Sequence, residues 1–314
     1  MKRLGVIGAR GHAGGELLKL TVAHGGFEVV HLASRQLAGQ PFSALEPMLG
    51  DGGTIVASDP DAAARAELDA CVLAMPNGQA KAYADAFDAA SPETVLVDFS
   101  ADFRGVEGWA YGLPELDRTP LKGATRIANP GCYATAAVLA LAPLTPLLAG
   151  TASAFGISGY SGAGTTPGPR NDPARLNDNV LAYALVGHGH ETEIRAALGA
   201  AVNFTPHVTS FFRGLVVTVH APLSEALPAE DLRARFEAAY GDEPLITLQD
   251  EPAEPRAAAD TPGAIIGGFA AAPDERRAVV VAATDNLLKG AASQALQNLN
   301  LALGFPETRG LLDR

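Results

Sequence analysis

The stretch GVIGARGHAGGEL, Gly5 to Leu17, decides the fold of this chain. It begins inside a short apolar run, RLGVIGA, that reads as a buried strand, and it leads into a helix predicted from Gly14 to His24. Gly8, Gly11 and Gly14 make the connection a G-x-x-G-x-x-G turn. Residues without a Cβ let backbone N–H groups close on a pyrophosphate at the electropositive end of a helix. Strand, turn and helix together therefore predict a dinucleotide site.

Outward from that turn the pattern repeats. FEVVHLAS (Phe27 to Ser34), ACVLAMP (Ala70 to Pro76) and TVLVDFS (Thr94 to Ser100) read as further strands, separated by Ala- and Asp-rich helical stretches. Such alternation predicts βαβ units and a parallel sheet. After Cys132 the texture changes. SAFGISGYSGAG (Ser153 to Gly164) is a strand ending in a glycine-rich loop, and TPHVTSFFRGLVVTVHAPL (Thr205 to Leu223) alternates like strands of an antiparallel or mixed sheet. An amphipathic helix is expected from Ala229 to Gly241, and a polar surface loop from Asp250 to Pro262. Another strand, RAVVVAATDN, starts at Arg277, and a long closing helix runs from Leu287 to Gly304. No internal repeat is visible. At 314 residues the chain suits two domains. The fold class is α/β: an N-terminal Rossmann domain plus a second α+β domain with a mixed, largely antiparallel sheet.

Composition narrows the partners. Apolar residues make up 47% and charged residues 18%, as in a soluble globular protein, and the formal net charge is −12. A surface of that sign repels phosphate backbones, which argues against nucleic acid. The N-terminal apolar run is too short for a secretory signal. Ile127 to Pro169 holds no Asp, Glu, Lys or Arg, but Pro143 and Pro146 interrupt it. The helix left from Tyr133 to Ala142 would span only about 15 Å, half of a bilayer's roughly 30 Å hydrocarbon core. It is expected to be a buried core helix, and no membrane partner is expected. Two cysteines make no disulfide framework and fit a reducing, cytoplasmic setting.

The end of the second strand selects the cofactor. An NAD site usually places Asp or Glu there for the ribose hydroxyl, whereas this chain has Ser34 and Arg35. A hydroxyl and a guanidinium suit a 2′-phosphate, so NADP(H) is the expected cofactor; the alternative is that Arg35 is a solvated loop residue. Cys71, inside a strand, is packing. Cys132 follows Pro130-Gly131 and opens a helix, where the thiolate is favoured, which makes it a candidate nucleophile as well as a possible small buried hydrophobe. A thiolate needs a proton partner. Among seven histidines, His188 and His190 stand together in LVGHGHETEI, beside a predicted helix start near Gly189. That places His190 on the first turn, where imidazole stays neutral, with Glu193 three residues on, in reach of the ring. His188 is given a supporting role in substrate binding. No further Cys or His cluster completes a metal site, so no metal is expected.

These residues resemble the N-acetyl-γ-glutamyl-phosphate reductases, relatives of the aspartate-semialdehyde dehydrogenases and, more distantly, of the glyceraldehyde-3-phosphate dehydrogenases. The resemblance runs along nearly the whole chain: GARGHAGGEL, SRQLAG, VDFSADFR, YGLPEL, ANPGCYAT, SGYSGAGT, HGHETEI, TPHVTSFFRGL and TDNLLKGAASQALQNLNLALG occur in order. It implies an NADP-binding Rossmann domain over residues 1–131 and 286–314, completed by the returning last helix, and a catalytic and dimerisation domain over 132–285. It implies Cys132 as nucleophile and His190 as acid/base, with Arg104, Arg213, His188 and Glu193 at the substrate. Gly8, Gly11, His12, Ala13, Gly14, Ser34, Arg35, Pro76, Ser158, Gly159 and Asn286 would hold the cofactor, and the protein would be a homodimer or homotetramer. The chain departs from the family pattern at Gly189, where an arginine usually separates the histidines, and at Thr165, where a basic residue usually follows SGAG. It also departs at His12, usually tyrosine, and at MPNG (Met75 to Gly78), usually LPHG.

The implied reaction is a reductive dephosphorylation of a small acyl phosphate, releasing phosphate and an aldehyde through a cysteine thioester. Two other readings fit parts of the sequence. A paralogue could act on a carrier-protein-bound glutamyl or aminoadipyl phosphate, or on aspartyl phosphate, although an acidic carrier would be repelled by a chain of this charge. An NADP-binding redox sensor without turnover would need the glycine turn but neither the histidine pair nor the arginines.

Overall fold

A computed structural model of the chain describes residues 1–272, 274 and 276–312. It divides into two compact units, Met1–Pro130 with the stretch from Ala291 onward, and Gly131–Gly290.

The first unit is built on a parallel sheet of β1 (Lys2–Ile7), β2 (Phe27–Ala33), β3 (Ala70–Leu73), β4 (Val95–Asp98), β5 (Ala110–Tyr111) and β6 (Arg126–Ala128). The strand order is β2-β1-β3-β4-β6-β5, and every pairing is parallel. β3 and β4 are buried at all four positions, which is why they read as continuous apolar runs. The chain leaves β1 toward β2 on one side and β3 on the other. The carboxyl end of β1 is thus the switch point where doubly wound sheets bind ligands, and the glycine turn begins there. The helix after it runs His12–His24, two residues earlier than the periodicity predicts, because Gly11 and not an apolar residue is its N-cap. The two-residue β5 and the three-residue β6 are too short to register as apolar patterns.

The last helix, Ser293–Leu303, belongs to this unit. It packs against the His12–His24 helix and β4. Asn298 donates through Nδ2 to Gly112 O (2.9 Å) and Asn129 Oδ1 (3.0 Å), so a buried amide ties the C-terminal helix to the end of β6. The expected single helix from Leu287 is interrupted: Leu288–Ala292 forms a π turn before the α-helix begins.

The second unit carries β7 (Ala152–Gly159), β8 (Val180–Ala182), β9 (Val202–Thr209), β10 (Leu215–Pro222), β11 (Ile246–Leu248), β12 (Ala264–Ala272) and β13 (Arg277–Thr284). Their order is β11-β12-β13-β10-β7-β9-β8. Only β11–β12 and β7–β9 are parallel, so the sheet is mixed and largely antiparallel. β9 and β10 are consecutive yet do not pair; they flank β7, one parallel and one antiparallel. Under the sheet lies the helix Cys132–Leu141, buried from Tyr133 to Leu141, which packs on β10, on β13 and on the helix Gly189–Leu198. A helix apolar on all sides must be covered all round, which explains the charge-free stretch in the sequence. Among the described residues no helix is long and apolar enough to cross a membrane.

The stretch Asp250 to Pro262 is more structured than a surface loop. It holds the short helix Pro255–Ala258, with Ala253 and Ala258 buried against Ala283.

Candidate active site

In the first unit the glycine turn is shaped by contact. Gly8 adopts φ +81°, and a Cβ there would stand 2.4 Å from Ala74 O; a Cβ on Gly14 would stand 2.9 Å from Ala9 Cα. Neither position accepts a side chain without moving backbone. Gly11 N donates to Gly8 O (3.1 Å), closing the turn. The helix that follows has no side-chain cap and no acidic residue in its first turn, and His12 and Ala13 are partly exposed there. Its N–H groups and dipole therefore suit an anion, and the turn fits a dinucleotide pyrophosphate. Burial holds the imidazole of His12 below its ordinary pKa, with Glu16 opposing weakly, so the ring is mainly neutral near pH 7.

Ser34, buried, and Arg35, exposed, follow β2. Arg35 donates to Gln79 Oε1, which aims the guanidinium while leaving other N–H groups for a phosphate. Pro76 is exposed after β3. Asn77, in the variant MPNG segment, accepts from Ala101 N (3.0 Å), and Asp102 accepts from Gly78 N (2.7 Å) and Ala80 N (3.1 Å). The segment is braced by the VDFSADFR stretch. Arg104 donates through Nε to Asn129 O (3.0 Å) and through Nη2 to Phe99 O (2.8 Å), which joins the ends of two neighbouring strands.

In the second unit Cys132 is the first residue of its helix, partly exposed, with Gly131 as an extended N-cap that offers no side chain and no acid in the first turn. Cys71 differs in kind: it is fully buried in β3, and burial pushes its thiol well above the ordinary range. The helix Gly189–Leu198 holds the other groups. Its N-cap is His188, whose Nδ1 accepts from His190 N (3.1 Å). That bond fixes the neutral His188 tautomer with its proton on Nε2. Burial, and secondarily the charge of Arg170, hold His188 below its ordinary pKa, while Glu191 opposes; the ring is neutral at pH 7. Glu191 and Glu193 stand about 200° apart round a helix and tie it on two sides. Glu191 accepts from Phe204 N on β9 (2.9 Å), and Glu193 accepts from Gly131 N (2.8 Å). Both carboxylates are buried. Spacing alone did not suggest that Glu193 would grip the amide just before Cys132.

His190 lies edge-on to Tyr133, with ring centroids 5.9 Å apart, and to His188 at 4.8 Å. Tyr133 donates its hydroxyl to His207 O and packs on Phe204. The residue beside Cys132 and both histidines thus share one aromatic cluster. Gly290 presses on Cys132 from another side: a Cβ at Gly290 would lie 2.6 Å from Cys132 Cβ. The π turn delivers that glycine, and such turns concentrate at functional sites.

Arg213 and Asn286 belong to a second cluster of this unit. Arg213 Nε lies 2.8 Å from Oδ2 of the fully buried Asp285, and Nη1 also pairs with Asp260. Asp285 accepts from Asp260 N (2.7 Å) and Leu287 N (2.8 Å) as well. Asn286 accepts from Gly214 N and donates to Ser161 Oγ, both at 2.8 Å. Ser158 is buried on β7, and a Cβ on Gly159 would stand 2.5 Å from Phe212 O, so these residues form a close crossing of two loops. Asp285, Asp260, Gly290, Tyr133 and Tyr183 were not singled out from sequence. Only Tyr133 carried a local signal, its place next to Cys132. Among the described residues no group of three His, Cys, Asp or Glu could hold a metal ion.

Comparison with known proteins places this geometry. Residues 3–124 match the family model of the semialdehyde dehydrogenase NAD binding domain, and residues 132–286 that of the semialdehyde dehydrogenase dimerisation domain. An N-acetyl-gamma-glutamyl-phosphate reductase of Xanthomonas campestris pv. campestris (strain B100) is 50% identical over 306 residues, covering 97% of this chain and 96% of the relative. The protein of that name from Stenotrophomonas maltophilia (strain R551-3) is 49% identical over 304 residues, with 97% and 96% covered. Among solved structures, aspartate semialdehyde dehydrogenase II of Vibrio cholerae, complexed with ASA, superposes with a TM-score of 0.77 at 16% identity, covering 97% of this chain and 98% of that one. The aspartate semialdehyde dehydrogenase of Candida albicans with NADP gives 0.75 at 15% identity, with 97% and 99% covered.

Proposed function

The chain belongs to the semialdehyde dehydrogenase family, within its N-acetyl-γ-glutamyl-phosphate reductases, and we propose that it reduces N-acetyl-γ-glutamyl phosphate to N-acetylglutamate semialdehyde with NADPH. One observation carries the chemistry: a partly exposed cysteine opens an uncapped helix, its preceding amide is held by Glu193, and two histidines lie in the aromatic cluster beside it.

Cys132 is the nucleophile. Its thiol proton passes to His190, and the sulfur attacks the acyl carbon; the C–S bond forms, the bond to the phosphate oxygen breaks, and phosphate leaves with that electron pair. NADPH, held by the glycine turn and Arg35, would supply the hydride for the thioester. His190 gives a proton to the oxygen as the thiohemiacetal forms, then takes the hydroxyl proton back as the C–S bond breaks and the aldehyde departs. The use of His188 Nδ1 as a helix cap supports His190 as the proton carrier, because His188 has only Nε2 left to offer. Arg104, Arg213, His188 and Glu193 are assigned to binding and shaping the substrate site. Gly8, Gly11, His12, Ala13, Gly14, Ser34, Arg35, Pro76, Ser158, Gly159 and Asn286 are assigned to the cofactor.

Arg35 and Ser34 favour NADP(H) over NAD(H), since no carboxylate ends β2. Val180 on the edge strand β8, with Leu185 and Val186 beyond it, is exposed and apolar, which supports a homodimer or homotetramer. A reducing cytoplasm suits the two free thiols. The test is NADP reduction with N-acetylglutamate semialdehyde and inorganic phosphate. Turnover is expected only when phosphate is present; phosphate-independent turnover, or none, would overturn the reading.

A further inference from the structure

The aromatic cluster beside Cys132 does not end at the histidines. Ring centroids run from Tyr133 to His190 (5.9 Å), from His190 to His188 (4.8 Å) and from His188 to Tyr183 (5.7 Å), each pair edge-on. At the far end the Arg170 guanidinium lies over the Tyr183 ring, 4.7 Å from its centroid. Arg170 sits on a loop braced by its neighbour: Asn171 donates to Gly164 O (2.9 Å) and Thr166 O (2.8 Å) and accepts from Gly168 N (2.7 Å). The guanidinium is therefore held by stacking and by a fixed loop.

Its charge is also uncompensated. Among the described residues no carboxylate pairs with Arg170, whereas Arg213 of the same unit is balanced by Asp285 and Asp260. The field of Arg170 reaches the cluster, since it contributes to holding both His188 and Tyr183 below where they would otherwise titrate. Arg170 also hydrogen-bonds to the Tyr183 side chain; stacking on the aromatic face leaves the other in-plane N–H groups of the guanidinium to match an oxyanion. A substrate with a carboxylate at one end and a phosphate at the other needs such a partner.

We propose that Arg170, stacked on Tyr183 at the end of the ring strip that starts beside Cys132, binds an oxyanion of the substrate and sets the preference for an anionic acyl group. This rests on the reaction proposed above. Arg170 is a specificity residue and takes no part in bond making.

Wild-type turnover with N-acetylglutamate semialdehyde, phosphate and NADP is measured first; its absence would defeat the reaction itself and not the role of Arg170. With an active wild type, Arg170→Gln is expected to raise one Michaelis constant by roughly 10- to 100-fold, the equivalent of a lost charge-assisted hydrogen bond. The value of kcat and the constant for NADP should stay unchanged, and Arg170→Lys should recover part of the loss. A rise for the semialdehyde, with lost discrimination against 4-acetamidobutanal, identifies the carboxylate. A rise for phosphate alone identifies the phosphate. Unchanged constants for both anions, or a loss that falls equally on NADP, would overturn the proposal.

Discussion

His188 and His190 are two residues apart and are proposed to do different work, and the difference rests on one backbone bond. Because His188 Nδ1 caps the helix by accepting from His190 N, an asparagine at 188 can keep the cap. His188→Asn is therefore expected to leave thermal stability near that of the wild type and to act mainly on the Michaelis constant. His190→Asn is expected to lower kcat by about 10² to 10⁴, the range for a lost general acid–base group. Steady-state kinetics on both variants decide it, and the reversed pattern would exchange the two assignments. At the cofactor end, Arg35→Ala should weaken NADPH by about 1.5–3 kcal/mol, the worth of a charge-assisted hydrogen bond, and NADH hardly at all. Equal losses in a binding titration would make Arg35 a brace for Gln79, its partner in the structure. The candidate residues were legible because each stands in a short local pattern. Arg170 was not, because it stands in no local motif and reaches the Tyr183 ring only across a loop, the short helix Pro173–Leu176 and strand β8.

The π turn Leu288–Ala292 is where an element, and not a side chain, shapes the site. A regular helix was expected through it; the extra residue in the turn brings Gly290 onto Cys132. Gly290→Ala would force a methyl to within 2.6 Å of Cys132 Cβ. Overpacking of that kind costs about 1–3 kcal/mol, and the variant should also lose turnover and alkylate at Cys132 at a changed rate. Gly189→Ala is the control, with nothing within 4 Å of the added Cβ. If iodoacetamide labels the Gly290 variant at the wild-type rate, the contact has no bearing on the thiol. Strands and helices with clear periodicity were readable along the chain. What was hidden is non-local: β9 and β10 flank β7 instead of pairing, and the stretch read as surface loop supplies Asp260 to Arg213 across 47 residues. Alternation identifies a strand but carries no information on its neighbour.

For the molecule as a whole, the first unit carries a titrating group at its core. Asp98 at the end of β4 is fully buried, and burial pushes its pKa up to about 6 against the two bonds it accepts from Ser100, at 2.6 and 3.0 Å. Its folded pKa is raised, so the folded state binds the proton more tightly than the unfolded chain. Stability from this group is fully present below the unfolded value of 3.8 and is lost as pH rises toward about 6. His24 and His31, held low by burial, act in the opposite sense as pH falls. The comparison with Asp98→Asn isolates the aspartate: relative to that variant, the wild type should lose about 2 kcal/mol between pH 4 and 6. Trp109, the one tryptophan, stacks on Phe103 in the same unit, so its fluorescence during urea unfolding reports on the part of the molecule that holds Asp98. A parallel pH dependence in both proteins would show that Asp98 is ionised in the folded state. The two-unit plan itself serves one claim, that a cysteine in the second unit carries the acyl group while a cofactor held by the first supplies the hydride. Intact-mass analysis after mixing the protein with N-acetyl-γ-glutamyl phosphate, without NADPH, tests it most directly. The expected result is a gain of one N-acetylglutamyl group, mapped to Cys132, absent in Cys132→Ser and discharged by NADPH to the semialdehyde; turnover without any such adduct, or an active Cys132→Ser protein, would contradict it.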